Sequence, residues 1–159
     1  MKTRLIGTLA LLSAFAVAAT VVIAAEHHDK PKRTPSPTGA VSYIVSPKDG
    51  ATVKKKFKVV FGVTGMGVCP AGITAADGKP LPDTGHHHLL VDVKDLPPLD
   101  MHLAADQPTS IMHFGKGQTE TMLELPPGKH TLQLVFADYA HVPHDPPLIS
   151  KKITVTVAE

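Results

Sequence analysis

The chain contains no tryptophan, two tyrosines, five phenylalanines and a single cysteine. So few aromatic faces argue against a carbohydrate-stacking surface. A lone cysteine, Cys69, excludes an intramolecular disulfide, so stability must come from packing or from a bound ion. No segment carries a sustained 3.6-residue apolar period, which removes helices as the main elements. An excess of one charge is missing as well. Of the sixteen Lys and Arg residues, Lys2 and Arg4 belong to the leader described below, and the fourteen left equal the fourteen Asp and Glu. A neutral domain offers no electrostatic case for nucleic acid or for an anionic membrane. Catalytic signatures are absent too. There is no Gly-x-Ser-x-Gly, no His-Glu-x-x-His and no glycine-rich dinucleotide fingerprint, so the chain reads as a binding protein rather than an enzyme.

What is present begins with an apolar run over residues 5–23, preceded by Lys2 and Arg4 and followed by Ala24-Ala25-Glu26. A positive start, an apolar stretch and small residues before a polar one predict a cleaved secretory signal over residues 1–25. The run approaches the ~20 residues of a membrane span, so an uncleaved N-terminal anchor is the alternative. Both readings export the rest of the chain, to the periplasm or the medium, and membrane attachment requires the leader to stay. Residues 26–40, polar and rich in Pro and Lys, predict a disordered tether in which His27 and His28 are solvated.

Residues 41–159 then suffice for one domain with one core. Val41-Ser42-Tyr43-Ile44-Val45 predicts a first strand, closed by the turn Ser46-Pro47-Lys48-Asp49-Gly50. Phe57, Val59, Phe61 and Val63 alternate along a second. Further strands are expected around residues 87–93, 120–125 and 132–136, and from Ile149 to Val157. Residues 65–82 and 96–108, full of Gly, Pro and polar groups, predict two long loops. About seven short strands with turn punctuation predict an immunoglobulin-like antiparallel β-sandwich.

The most informative stretch is Thr84-Gly85-His86-His87-His88-Leu89-Leu90-Val91-Asp92. Alternate residues of a strand share a face. His87 is therefore in phase with Leu89 and Val91 and is expected in the core as a hydrogen-bonded histidine. His86 and His88 project together from the other face, expected to be the outward one. Two imidazoles placed like this either grip a transition metal or hydrogen-bond loop carbonyls and Asp92. Three more histidines are candidates to complete a site. His113 sits at a loop–strand junction before Gly115-Lys116-Gly117. His141 and His144 sit in Ala140-His141-Val142-Pro143-His144-Asp145-Pro146-Pro147, where the prolines impose an extended, stiff backbone. Asp138 or Asp145 is placed to orient an imidazole. His130 is in phase with Leu132 and Leu134 and is expected to pack at the core or its edge, while His102 is a weak candidate. The pairs Met101-His102 and Met112-His113, with Met66 and Cys69 nearby, lean toward copper rather than calcium or magnesium.

Four motifs in order carry a resemblance. They are Phe61-Gly-Val-Thr-Gly-Met-Gly-Val-Cys-Pro-Ala-Gly72, Thr84 to Asp92, His113-Phe-Gly-Lys-Gly-Gln-Thr-Glu120, and His141-Val-Pro-His-Asp-Pro-Pro-Leu-Ile-Ser150. Over residues 57–157 the chain resembles the domain-of-unknown-function family numbered 4399. The resemblance implies a small exported bacterial domain and no particular reaction. Cys69 departs from the small apolar residue expected there, which argues against a thiol function shared by the family. The leading expectation is a periplasmic metal-binding β-sandwich holding copper or zinc, with His86 and His88 as ligands and His113, His141 or His144 completing the set. The alternative is a non-catalytic module that binds an envelope protein and uses its histidines structurally.

Overall fold

A computed structural model describes residues 29–103 and 110–159, and the leader expectation, with His27 and His28, falls outside them. The described residues form an all-β sandwich of two sheets with no helix. The smaller sheet has the order β1 (Val41–Ser46), β3 (Lys56–Thr64), β7 (Glu120–Glu124). The larger runs β2 (Thr52–Val53), β10 (Ile153–Val157), β8 (Gly128–Ala137), β5 (Thr84–Val91), β4 (Gly67–Val68). Two further strands join it, β6 (Ile111–His113) beside β5 and β9 (Pro143–Ile149) beside β8. Pairing is antiparallel except for β2 with β10 and β4 with β5.

The alternating apolar residues read from the sequence form the layer between the sheets. Phe57, Val59, Phe61 and Leu123 from the smaller sheet meet Leu89, Val91, Leu132, Leu134 and Val155 from the larger. Period-2 patterning explains this, since one face of each sheet is covered and the other is not. The exception is β5. From Gly85 to Val91 every residue is buried, so both faces of this central strand are covered. On the second face Leu90, Val135 and Ala137 are packed under Leu103 and Ile111. The face of His86 and His88 expected to be outward is therefore a second, smaller interior.

Two other expectations are revised. Of residues 140–147, expected as a stiff loop, Pro143 to Pro147 lie in strand β9, which ends at Ile149, so the last strand, β10, begins at Ile153 and not at Ile149. Proline is tolerated there because β9 lies at the side of the sheet, where it needs fewer ladder donors. The end of the expected tether is docked on that strand. Ser36 N donates to Asp145 O at 3.1 Å and Asp145 N to Thr34 O at 2.9 Å. The Arg33 guanidinium donates to Pro143 O and His144 O and pairs with Asp145 at 3.1 Å.

Candidate metal centre

β5 places His86 and His88 on its second face, and its register with β6 sets His88 directly opposite His113. Residues opposite each other in an antiparallel pair point the same way, so His113 joins the first two. Its ring folds back over Gly115. A Cβ at that position would stand 2.2 Å from the His113 ring, so the first glycine of the Gly-Lys-Gly motif makes room for the imidazole. The fourth histidine arrives from the β8–β9 turn. Asp138 organises that turn, its Oδ1 accepting from Ala140 N at 2.9 Å and Val142 N at 3.0 Å. His141 lies between them with φ of 66°, a left-handed conformation uncommon outside glycine. The backbone tie from Leu103 N to His141 O, 2.9 Å, holds it from the other side. This conformation turns His141 back toward β5.

The four rings converge. Centroid separations are 4.8 Å for His86–His88, 5.0 Å for His86–His113 and for His86–His141, 5.1 Å for His88–His113, 6.0 Å for His88–His141 and 4.6 Å for His113–His141. Nitrogens of His86, His88 and His113 lie within 4.8 Å of one another. The Nε2 atoms of His113 and His141 are 3.1 Å apart. Tetrahedral bonds of about 2.05 Å place ligand nitrogens roughly 3.3 Å apart, so this pair already stands near a shared-ion spacing. His86 and His88 are completely buried, and neither ring nitrogen of either has a hydrogen-bond partner. Each buried, unpartnered polar atom of this kind costs about 1–3 kcal/mol.

Burial, and then the neighbouring imidazoles, push the His86 pKa down to about 3 and that of His88 to about 2. His113 is lowered for the same two reasons, burial first and His141 second. His86 and His88 are therefore neutral rings with free lone pairs, the form in which imidazole binds a metal.

A family profile for a domain of unknown function, DUF4399, matches residues 59–158. The chain belongs to the DUF4399 family. The matched span contains β5, β6 and the β8–β9 turn, and so every ring of the cluster. No curated protein matches the chain. Among solved structures, the endo-beta-1,4-mannanase from Thermotoga petrophila aligns at 17% identity with a TM-score of 0.39, over 76% of this chain and 20% of the mannanase. The chain thus spans about a fifth of that enzyme's length.

Four of the five candidate residues come together, and His144 stands apart. Its ring stacks on Phe136 at 6.0 Å and its Nδ1 meets Thr34 Oγ1 at 2.7 Å. Thr34 also donates to Asp138 Oδ2 at 3.1 Å, so the Asp138 carboxylate, the docked N-terminal segment and His144 form one chain of hydrogen bonds. A hydroxyl has one proton. With that proton on Asp138, the bond to Thr34 requires the Nδ1–H tautomer of His144, which leaves its buried Nε2 as an unpartnered acceptor. Asp138 thus orients an imidazole, through Thr34. Asp145 pairs with Arg33 instead.

His87 is in the core as expected but is not hydrogen-bonded there. It lies between Phe61, at 5.3 Å, and Phe136, at 4.9 Å, with both nitrogens unpartnered. Burial lowers its pKa to about 4. The expected hydrogen bond from the His86–His88 pair to Asp92 does not form. Asp92 accepts from His130 Nδ1 at 2.7 Å and from Thr131 N at 2.8 Å. His102 Nδ1 meets Ala140 O at 2.8 Å, at the back of the turn that carries His141. Gly85 also went unnoticed in the sequence. A Cβ there would lie 2.3 Å from Ala137 O and 2.7 Å from the Phe136 ring, so only glycine lets β5 approach β8 at the edge of the cluster.

Proposed function

We propose that this domain is an exported metal-binding protein that holds one copper or zinc ion among His86, His88, His113 and His141. One observation carries the reading. Two fully buried imidazoles, with all four ring nitrogens unpartnered, face two further imidazoles across a gap of ligand size. A structural hydrogen-bonded corner would have supplied acceptors for these rings. An ion converts unpartnered lone pairs into bonds and so removes part of the burial cost. Nitrogen donors suit zinc and copper, whereas magnesium and calcium require oxygen. His86 and His88 form the buried floor, and His113 and His141, each partly exposed, form the mouth through which an ion enters.

The test is calorimetric titration of dialysed protein with copper or zinc. One ion per chain is expected, with its heat abolished in the His86→Ala, His88→Ala double variant while far-ultraviolet circular dichroism stays that of a sandwich. Equal uptake by that double variant and the parent would sink the proposal.

A further inference from the structure

We infer that the ion favoured by this centre is monovalent, copper(I) rather than zinc(II) or copper(II). The inference rests on the metal reading above and concerns the charge the pocket accepts. Imidazole alone does not decide, because it binds zinc and both states of copper. The surroundings do. The donors that come together are His86, His88 and His113, joined by His141, and among the described residues no carboxylate or thiolate lies in the group.

Among the described residues, three acids on neighbouring elements are committed elsewhere. Asp138 is held by Ala140 N, Val142 N and Thr34 Oγ1. Asp92 is held by His130 and Thr131 N, and Asp145 by Arg33. The remaining wall is apolar, built from Leu90, Val135 and Ala137 under Leu103 and Ile111. The ionisable groups that bear on His86 and His88 are other imidazoles, which bring no negative charge.

An ion held against His86 and His88 keeps its full charge behind the mouth, beside rings that are completely buried. The cost of moving a charge out of water grows with its square, so a divalent ion pays about four times what a monovalent ion of the same size does. Sites that hold a divalent ion offset this with an anionic ligand or a bound hydroxide. Among the described residues this pocket provides no anion. A cage whose ligands are imidazoles alone is balanced for a single positive charge.

Silver(I) is the redox-inert probe of that charge, and copper(I) added anaerobically against a coloured copper(I) chelator is the natural one. Both are measured on the full domain in a Cys69→Ser background, so that the thiol does not capture a soft ion. Silver(I) and copper(I) are expected to bind one per chain, at least about tenfold more tightly than zinc(II). Silver(I) binding should be lost in His86→Ala and in His88→Ala, each checked for a native fold. Zinc(II) binding as tight as silver(I), or tighter, overturns the inference and leaves the metal reading standing. Failure of all three ions to bind overturns the inference, and failure of copper(II) as well overturns both. Silver(I) binding that survives both histidine substitutions places the ion elsewhere and overturns the inference as well.

Discussion

His87 and its two neighbours occupy consecutive positions of one strand, are equally buried, and have equally unpartnered nitrogens, yet they meet opposite surroundings. On one face His87 touches Phe61 and Phe136 inside the main core. On the other, His86 and His88 meet His113 and His141. Burial, tautomer freedom and a lowered pKa are common to both faces, so none of them marks a site. What separates the faces is convergence. β6 and the Asp138-centred turn each deliver one imidazole to the same few ångströms, while the core face receives rings that bind nothing.

Acid is expected to act most strongly, and it breaks the comparison, because here the faces respond alike. In the unfolded chain these imidazoles titrate near 6.5, whereas in the fold His86, His87 and His88 lie near 3, 4 and 2. A histidine lowered on folding contributes stability above pH 6.5 that is lost as the pH falls, since the unfolded state then binds more protons. Three such groups give a slope of about 4 kcal/mol per pH unit below that point, enough to exhaust a marginal domain within a few units. Denaturant titrations of metal-free protein from pH 7 to 4 should show uptake of nearly three protons on unfolding. A slope of one proton or fewer would mean that the rings are hydrated in the native state. Saturating metal should shift the transition to lower pH, because the ion competes with protons only in the folded form.

Metal affinity should restore the distinction. His86→Ala or His88→Ala is expected to weaken binding by more than about 100-fold, beyond the 10–100-fold that losing a ligand's supporting partner costs. His87→Leu should leave binding within about twofold, as expected of a ring that only packs against the core. Competition with a metal-sensing dye reads both. Loss of binding in His87→Leu comparable to that in His86→Ala would show that the core face takes part.

How much of this was legible follows the same division. Strict alternation through His87, Leu89 and Val91 was enough to place His87 inside and to pair His86 with His88. The Gly-Lys-Gly motif hinted at a close approach, and the glycine beside His113 makes one. The cover over the second face was not legible. Among the described residues it comes from short pieces without a period, the three residues of β6 and the loop segment that includes Leu103, whose backbone ties to His141. Proline content masked β9, because edge position rather than propensity decides whether proline fits a sheet. The choice between His141 and His144 was equally hidden. They are three residues apart in one motif, and a positive φ at His141 sends it to the cluster while Thr34 holds His144 away. Thr34 is over a hundred residues distant in sequence, in a segment whose composition reads as tether.

The same His87→Leu variant should also change stability, in the direction opposite to most core substitutions. Its ring is enclosed by Phe61 and Phe136 with two unpartnered nitrogens. Leucine removes both polar atoms at nearly unchanged, slightly larger volume. A gain of about 1–2 kcal/mol is expected at neutral pH, with the acid slope reduced by one proton. Destabilisation by more than about 1 kcal/mol would show that shape at this position outweighs polarity.

The smallest effect belongs to His130, which sharpens the comparison because it is a histidine with partners. Its Nδ1 meets Asp92 Oδ2 at 2.7 Å and its Nε2 meets Pro126 O at 2.9 Å. Neither oxygen can donate, so both contacts are hydrogen bonds only when both nitrogens carry protons, as in the imidazolium. The hydrogen bond to Asp92, the larger cause, and that to Pro126 raise its pKa. The sign is therefore reversed relative to His86, His87 and His88. This pair stabilises the fold below pH 6.5 and loses its contribution as the pH rises through the raised value. The Asp92 side chain is half exposed, so solvent holds the effect below about 1 kcal/mol. His130→Ala should lower the melting temperature by a few degrees at pH 5.5 and by less at pH 8.5. An equal loss at both would assign the role of His130 to packing against β10, leaving its charge without effect.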